Sequence, residues 1–167
     1  MSTDLEKLVR EAVLAFQNQP AEPQAEKRKI TEISLDDAKL LAAKVEDKAR
    51  EMGVRAVVAI ADAGGNLKLC ECMDGSYIAS RDIAINKAYT VVALKMSTKK
   101  LASLAAPGGS LYGIQHTNGG RIVIFGGGDP LEASGKILGG LGVSGGSEEE
   151  DTALSAYGRK LFDEYFN

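Results

Sequence analysis

The sequence predicts an α+β domain in which helical layers cover an antiparallel sheet. Three observations predict it. Two stretches read as strand, turn, strand; helical sequence separates them; and the repeated strand, helix, parallel strand unit of a doubly wound fold is missing.

Taken in order, the first segment has apolar residues at Leu5, Leu8, Val9, Ala12, Val13 and Phe16, the spacing of one helical face, with Thr3 and Glu6 as a capping box. Residues 1–17 therefore read as a separate amphipathic helix. NQPAEPQAEKRK, Asn18 to Lys29, carries two prolines, charges and amides and reads as a linker. A helix this short is marginal alone and needs a partner, either its own domain or oligomer, or the groove of another protein.

The main domain, residues 30–167, follows. Ser34 and Asp37 cap a helix from Leu35 to Met52, with Leu41, Ala42, Val45, Ala49 and Met52 on its buried stripe and Gly53 as its stop. VRAVVAIADAGGNLKLCECM then reads as a hairpin that turns at Asp62 to Asn66, where Gly64 and Gly65 can take positive φ. A long helix inside MDGSYIASRDIAINKAYTVVALKM is followed by a short one that stops at Pro107. RIVIF is expected as a strand, GGGDP as a turn and KILGGLGVS as the returning strand. Ser147 with Glu150 opens the last helix. An edge strand near Ile30 to Ile33 would complete an α-β-α layered domain with a central antiparallel sheet.

Composition narrows the function. The chain has 167 residues, 44% of them hydrophobic, and 20 basic against 23 acidic residues for a net charge of -3. That balance offers no broad attraction for nucleic acid or anionic lipid, and no apolar run approaches the roughly 20 residues of a membrane span. A cytoplasmic protein is expected. Cys70 and Cys72 share one face of a strand, where a mutual disulfide is sterically poor, so they read as free thiols.

GLGVSG, Gly140 to Gly145, fits the G-x-G-x-x-G pattern of dinucleotide-binding loops. That site needs a following strand with an acidic residue roughly 20 positions on, whereas the residues after Gly145 read as helix. Glu148, Glu149, Glu150 and Asp151 would also repel a phosphate at that helix start. The strand pattern explains the glycines better. Gly140 and Gly142 share a face with Lys136, Leu138 and Ser144, while Ile137, Leu141 and Val143 point the other way. A face without side chains admits a close helix, a second backbone or a ligand.

DAGGNLKLCECMDG, IAINKAYTVVALKM, GGGDPLEASGKILGGLGVSGG and the acidic helix start together resemble the haem-binding HbpS, GlcG and PduO C-terminal domain family, in that family's order, over about Ile33 to Phe162. The resemblance implies a profilin-like α-β-α domain, a homo-oligomer often described as an octamer, and haem or a related tetrapyrrole such as a corrinoid as cofactor. The family's PduO member is associated with bacterial microcompartments. Against that background the first 17 residues resemble an encapsulation peptide, which implies shell or cargo proteins as partners and the microcompartment lumen as the location.

Several residues are candidates for the site. His116, the only histidine, sits in YGIQHTNGG and offers an imidazole to haem iron, or is simply solvated. Tyr77 can supply a phenolate to iron or pack at a subunit contact. Lys87, at the family's usual lysine position, can pair a propionate or another carboxylate, or extend past its neighbours into water. Arg81 is a weaker anion candidate, and Gly140 and Gly142 would wall the cofactor. Asp62 and Asp74 read as turn caps. The two thiols and one distant histidine fall short of a zinc pattern.

Three readings follow. The first is a haem-binding accessory protein carried into a microcompartment. The second is an enzyme of a small carboxylate or aldehyde metabolite that uses Lys87 or His116 for acid-base chemistry. The third is a ligand-free oligomeric hub for cargo.

Overall fold

The computed structural model describes residues 28–166, so the helix and linker expected over residues 1–27 lie outside the described residues. Four helices and four strands follow in order: α1 (Leu35–Glu51), β1 (Val57–Asp62), β2 (Leu67–Cys72), α2 (Ile78–Leu94), α3 (Thr98–Ala105), β3 (Gly128–Ala133), β4 (Lys136–Ser144) and α4 (Glu148–Tyr165). The sheet is antiparallel throughout, in the order β2-β1-β4-β3. This is the α+β class that the two hairpins predict.

The helix ends form as their sequences suggest. Ser34 and Asp37 make a reciprocal capping box on α1, as do Ser147 and Glu150 on α4. Gly53 closes α1 at φ +73°. In the β1–β2 turn only Gly65 takes positive φ, at +77°, because Asp62 Oδ1 accepts from the N–H groups of Gly64 (2.8 Å) and Asn66 (3.0 Å) and holds the rest of the turn.

One face of the sheet packs against α1 and α4. Its core joins Leu41, Val45 and Ala49 to Val58, Ile60, Leu141, Val143, Leu154 and Phe162. The other face, with Val57, Ala59 and Ala61, meets Ala84 and Ala88 of α2. Here every side chain is small, so the helix comes very close. A β-carbon at Gly142 would lie 2.6 Å from the Ala88 nitrogen and closer still to the Ala84 carbonyl oxygen, and one at Gly140 would lie 2.5 Å from Val91 Cγ2. The close neighbour of the bare strand face is therefore α2 of the same chain, and Gly140 and Gly142 meet protein instead of walling a cofactor.

Three expectations need correction. RIVIF, Arg121 to Phe125, is not a strand, because helix side chains take the N–H groups of this stretch and the next: Val123 donates to Thr90 Oγ1 (3.0 Å), Gly126 to Glu148 Oε1 (2.8 Å) and Gly128 to Thr98 Oγ1 (2.9 Å). The strand is instead Gly128–Ala133, drawn partly from the expected turn GGGDP. Its Pro130 is tolerated because β3 lies at the sheet edge.

No strand forms at Ile30 to Ile33 either. The Arg28 N–H goes to the Tyr165 carbonyl (3.0 Å), the Ile33 carbonyl accepts from Lys68 Nζ (2.8 Å), and the Ile33 side chain is buried in the core. Lastly, the β3–β4 register shifts between Leu131, opposite Gly139, and Glu132, opposite Ile137. That bulge turns Leu138 into the core beside Leu141, away from the face it was expected to share with Gly140.

The close approach yields a first prediction. Gly142→Ala should lower the urea midpoint by the equivalent of about 1–3 kcal/mol, the usual cost of overpacking, because helix backbone rather than a flexible side chain opposes the new methyl. An unchanged midpoint would show that α2 can move away freely.

Candidate functional site

Lys87 lies in the middle of α2 and is completely buried. Its ammonium donates to Asp151 Oδ2 at 2.8 Å and to the Val143 carbonyl at 2.7 Å, and stands 4.8 Å from the centre of the Phe125 ring. Gly127 makes room for it, since a β-carbon there would lie 2.6 Å from Nζ. Lys87 thus does not extend into water, and the carboxylate it pairs with belongs to the protein. Burial pulls its pKa below the ordinary lysine value and pushes that of Asp151 above the ordinary carboxylate value, while the pairing opposes both shifts.

Asp151 sits in the first turn of α4, and its Oδ1 accepts from the Gly146 N–H at 3.0 Å. Glu150 accepts from the Ser147 N–H (2.8 Å) and Glu148 from the Gly126 N–H (2.8 Å). The amides of the GLGVSGG turn that would cradle a phosphate are occupied by the acidic residues that follow them.

His116 is exposed and ends a short 3-10 turn, Ile114–His116. Its Nε2 lies 3.4 Å from Gln115 Nε2, and no carboxylate orients the ring among the described contacts. The loop around it joins the C-terminal half of α2, where Asn118 reaches the Tyr89 hydroxyl (3.3 Å) and Arg121 covers the Tyr89 ring at 3.7 Å. Tyr77, the N-cap of α2, is 73% exposed, and its neighbour Ile78 is 96% exposed. Twelve residues of helix, about 18 Å, separate Tyr77 from Tyr89, the residue that the His116 loop reaches through Asn118. Arg81, also exposed on α2, pairs with Asp82 at 3.3 Å.

Cys70 is half-buried and Cys72 exposed, and both are free. Burial, with Cys72 beside it, pushes the Cys70 thiol up to about 11, where it is an inert group at neutral pH. Among the described residues no cluster of His, Cys, Asp or Glu could hold a metal ion, and no helix is long and apolar enough to cross a membrane.

Two open grooves flank Arg55, one of about 590 Å3 beside Arg50, Met73 and Asp74, the other of about 350 Å3 beside Gly75, Tyr77 and Gly146. The sequence reading passed over Arg55. Its only signal there is a basic residue between two predicted elements, which seldom stands out.

These features define a layered α+β domain with an internal ion pair at its centre, and with its exposed donors spread along one helix. The chain belongs to the HbpS-like family: the family model described as haem degrading protein HbpS-like matches residues 33–160. It is 44% identical over 137 residues to an uncharacterized 15.0 kDa protein in the dhaT-dhaS intergenic region of Citrobacter freundii, covering 82% of this chain and 96% of that protein. It is also 41% identical over 108 residues to the corrinoid adenosyltransferase PduO of the same organism, a match that covers 65% of this chain and only 32% of the enzyme. Among solved structures, a PduOC:heme complex superposes with a TM-score of 0.75 at 35% identity, over 78% of this chain and 94% of that one.

Two outcomes check this description. Lys87→Met should cost about 3–5 kcal/mol in urea unfolding by stranding Asp151, and the paired Lys87→Met, Asp151→Leu replacement should cost less than the single change. In the native protein at neutral pH, iodoacetamide followed by mass spectrometry should modify Cys72 and leave Cys70 unmodified.

Proposed function

We propose that this chain is a haem-binding accessory protein rather than an acid-base enzyme. One observation carries the reading: a structural relative at 35% identity is a haem complex, and this chain presents an exposed imidazole and an exposed phenol, both groups that ligate haem iron. The donor chemistry fits the cofactor. In the enzyme reading the base would be Lys87, which is sealed from solvent and paired, or His116, which no carboxylate among the described residues orients.

The grooves of the single chain are open and partly polar, whereas haem sites are concave and largely apolar. A second copy laid over the outer side of α2 would bring a further Ile78 and Tyr77 to wall the porphyrin, consistent with a homo-oligomer. His116 and Tyr77 would be the candidate axial ligands and Arg81 a candidate partner for a propionate. When bound, haem would supply its own redox and ligand-binding chemistry, and the chain would hold it, orient it and exclude water. A corrinoid is the less favoured ligand. The match to PduO covers under a third of that enzyme, and its activity is not carried over.

The microcompartment reading rests on the apolar stripe Leu5 to Phe16 and the polar linker behind it, with shell or cargo proteins as the partners of residues 1–17.

Haemin titrated into the full chain should produce a Soret band, and His116→Ala or Tyr77→Phe should weaken or shift it. Featureless titrations with both haemin and cobalamin would remove the tetrapyrrole reading.

A further inference from the structure

Of the arginines among the described residues, five have partners. Arg28 pairs with Asp37, Arg50 with Glu46 and Asp47, and Arg81 with Asp82; Arg121 covers Tyr89, and Arg159 lies 4.0 Å from Asp129. Arg55 has no hydrogen bond, ion pair or ring contact with a described residue, although Asp74 and Glu150 line the grooves beside it. An exposed arginine unpaired by any described carboxylate has its guanidinium fork available to a ligand.

The local backbone fixes where that side chain starts. Val54 donates to the Ala49 carbonyl (2.9 Å) and Met73 to the Ala56 carbonyl (3.0 Å), which fixes the chain on either side of Arg55 and the strand end opposite. The side chain then lies across Gly75, where φ is +78° and where a β-carbon would stand 3.2 Å from Arg55 Cδ and collide with Nη1. The 350 Å3 groove beyond is walled by glycine backbone, with Arg55, Tyr77 and Glu150 as its side chains with polar tips. Glu150 commits one oxygen to the Ser147 N–H.

The geometry points to Arg55 and this glycine-walled groove as a recognition site for a carboxylate group. A phosphate is disfavoured because the amides of Gly146 and Ser147, which line or adjoin the groove, are already taken by Asp151 and Glu150. A carboxylate needs only the planar fork. It could arrive as a free small acid or as a haem propionate, with Tyr77 lining the groove and the exposed Ile78 next to it in sequence to meet the apolar body; the propionate source alone rests on the haem reading above.

The experiment uses the full chain, Arg55→Ala and Arg55→Lys, each checked for unchanged melting temperature. Sodium propionate is followed by the backbone amide resonances of Arg55, Gly145 and Gly146, and haemin and haemin dimethyl ester are titrated through the Soret band. The native chain should show propionate-dependent shifts that vanish in Arg55→Ala and persist weakly in Arg55→Lys. If the source is haem, haemin should bind Arg55→Ala about tenfold more weakly, and the dimethyl ester should bind the native chain as weakly as that. Propionate shifts with unaltered haemin binding would assign the site to a free acid. Absence of propionate shifts together with equal haemin affinity in all three proteins overturns the proposal. A native chain that gives no Soret change removes the haem reading and leaves the propionate arm to decide this one.

Discussion

The Lys87 ammonium joins the two helical layers across the sheet. α2 lies on the face of Val57, Ala59, Gly140 and Gly142, and α4 on the face of Leu141 and Val143, yet Lys87 Nζ reaches Asp151 at 2.8 Å and the β4 carbonyl of Val143 at 2.7 Å. Much of the surrounding sequence serves this reach. Gly140 and Gly142 let the helix down onto the strand, Gly127 clears the space around Nζ, and Phe125 lies over the charge. A buried ammonium without a partner would lose its proton or unfold the site, so the position of Asp151 in the first turn of α4 is set by Lys87 as much as by the helix dipole.

The same arrangement decides what the glycine-rich turn can do. Helix starts bind anions because their amides lack acceptors, and here Asp151 and Glu150 take the N–H groups of Gly146 and Ser147 while Ser147 Oγ takes that of Glu150. A phosphate would have to displace a carboxylate that already serves the fold. The G-x-G-x-x-G spelling is therefore accounted for by backbone proximity at its first two glycines and by self-capping beyond its last.

Local signals in the sequence were reliable wherever the chain satisfies itself locally. The capping boxes at Ser34 and Ser147, the stop at Gly53, the Asp62 turn and the free cysteines all depend on neighbours within a few residues, and all form as read. The errors fall where distant groups supply the partner. RIVIF has the composition of a strand, but Thr90, Thr98 and Glu148 take the amides of its segment, and Leu138 changes face because of a bulge that no periodicity announces. Lys87 takes a carboxylate partner, one of the two alternatives its sequence left open, and not water. Its partner was 64 positions away, beyond what spacing can reveal.

Placement of charge by the fold then separates structural from available groups. Lys87 and Asp151 are buried and matched, Arg50 and Arg81 are answered by carboxylates three or four residues away or next in sequence, and the acidic start of α4 caps itself. Facing solvent near the N-terminal end of α2 are a guanidinium that no described residue engages, a phenol and a bare isoleucine: Arg55, Tyr77 and Ile78. Exposed apolar groups raise the free energy of the lone subunit by roughly 25 cal/mol for each Å2 left in water, and an unpaired guanidinium is readily desolvated only against an anion. Both demands are met at once by a ligand that joins an apolar body to a carboxylate, or by a second subunit that closes over such a ligand. The function proposed above, a holder of an amphiphilic acid such as haem, gives all three groups at this corner of the fold a use at once.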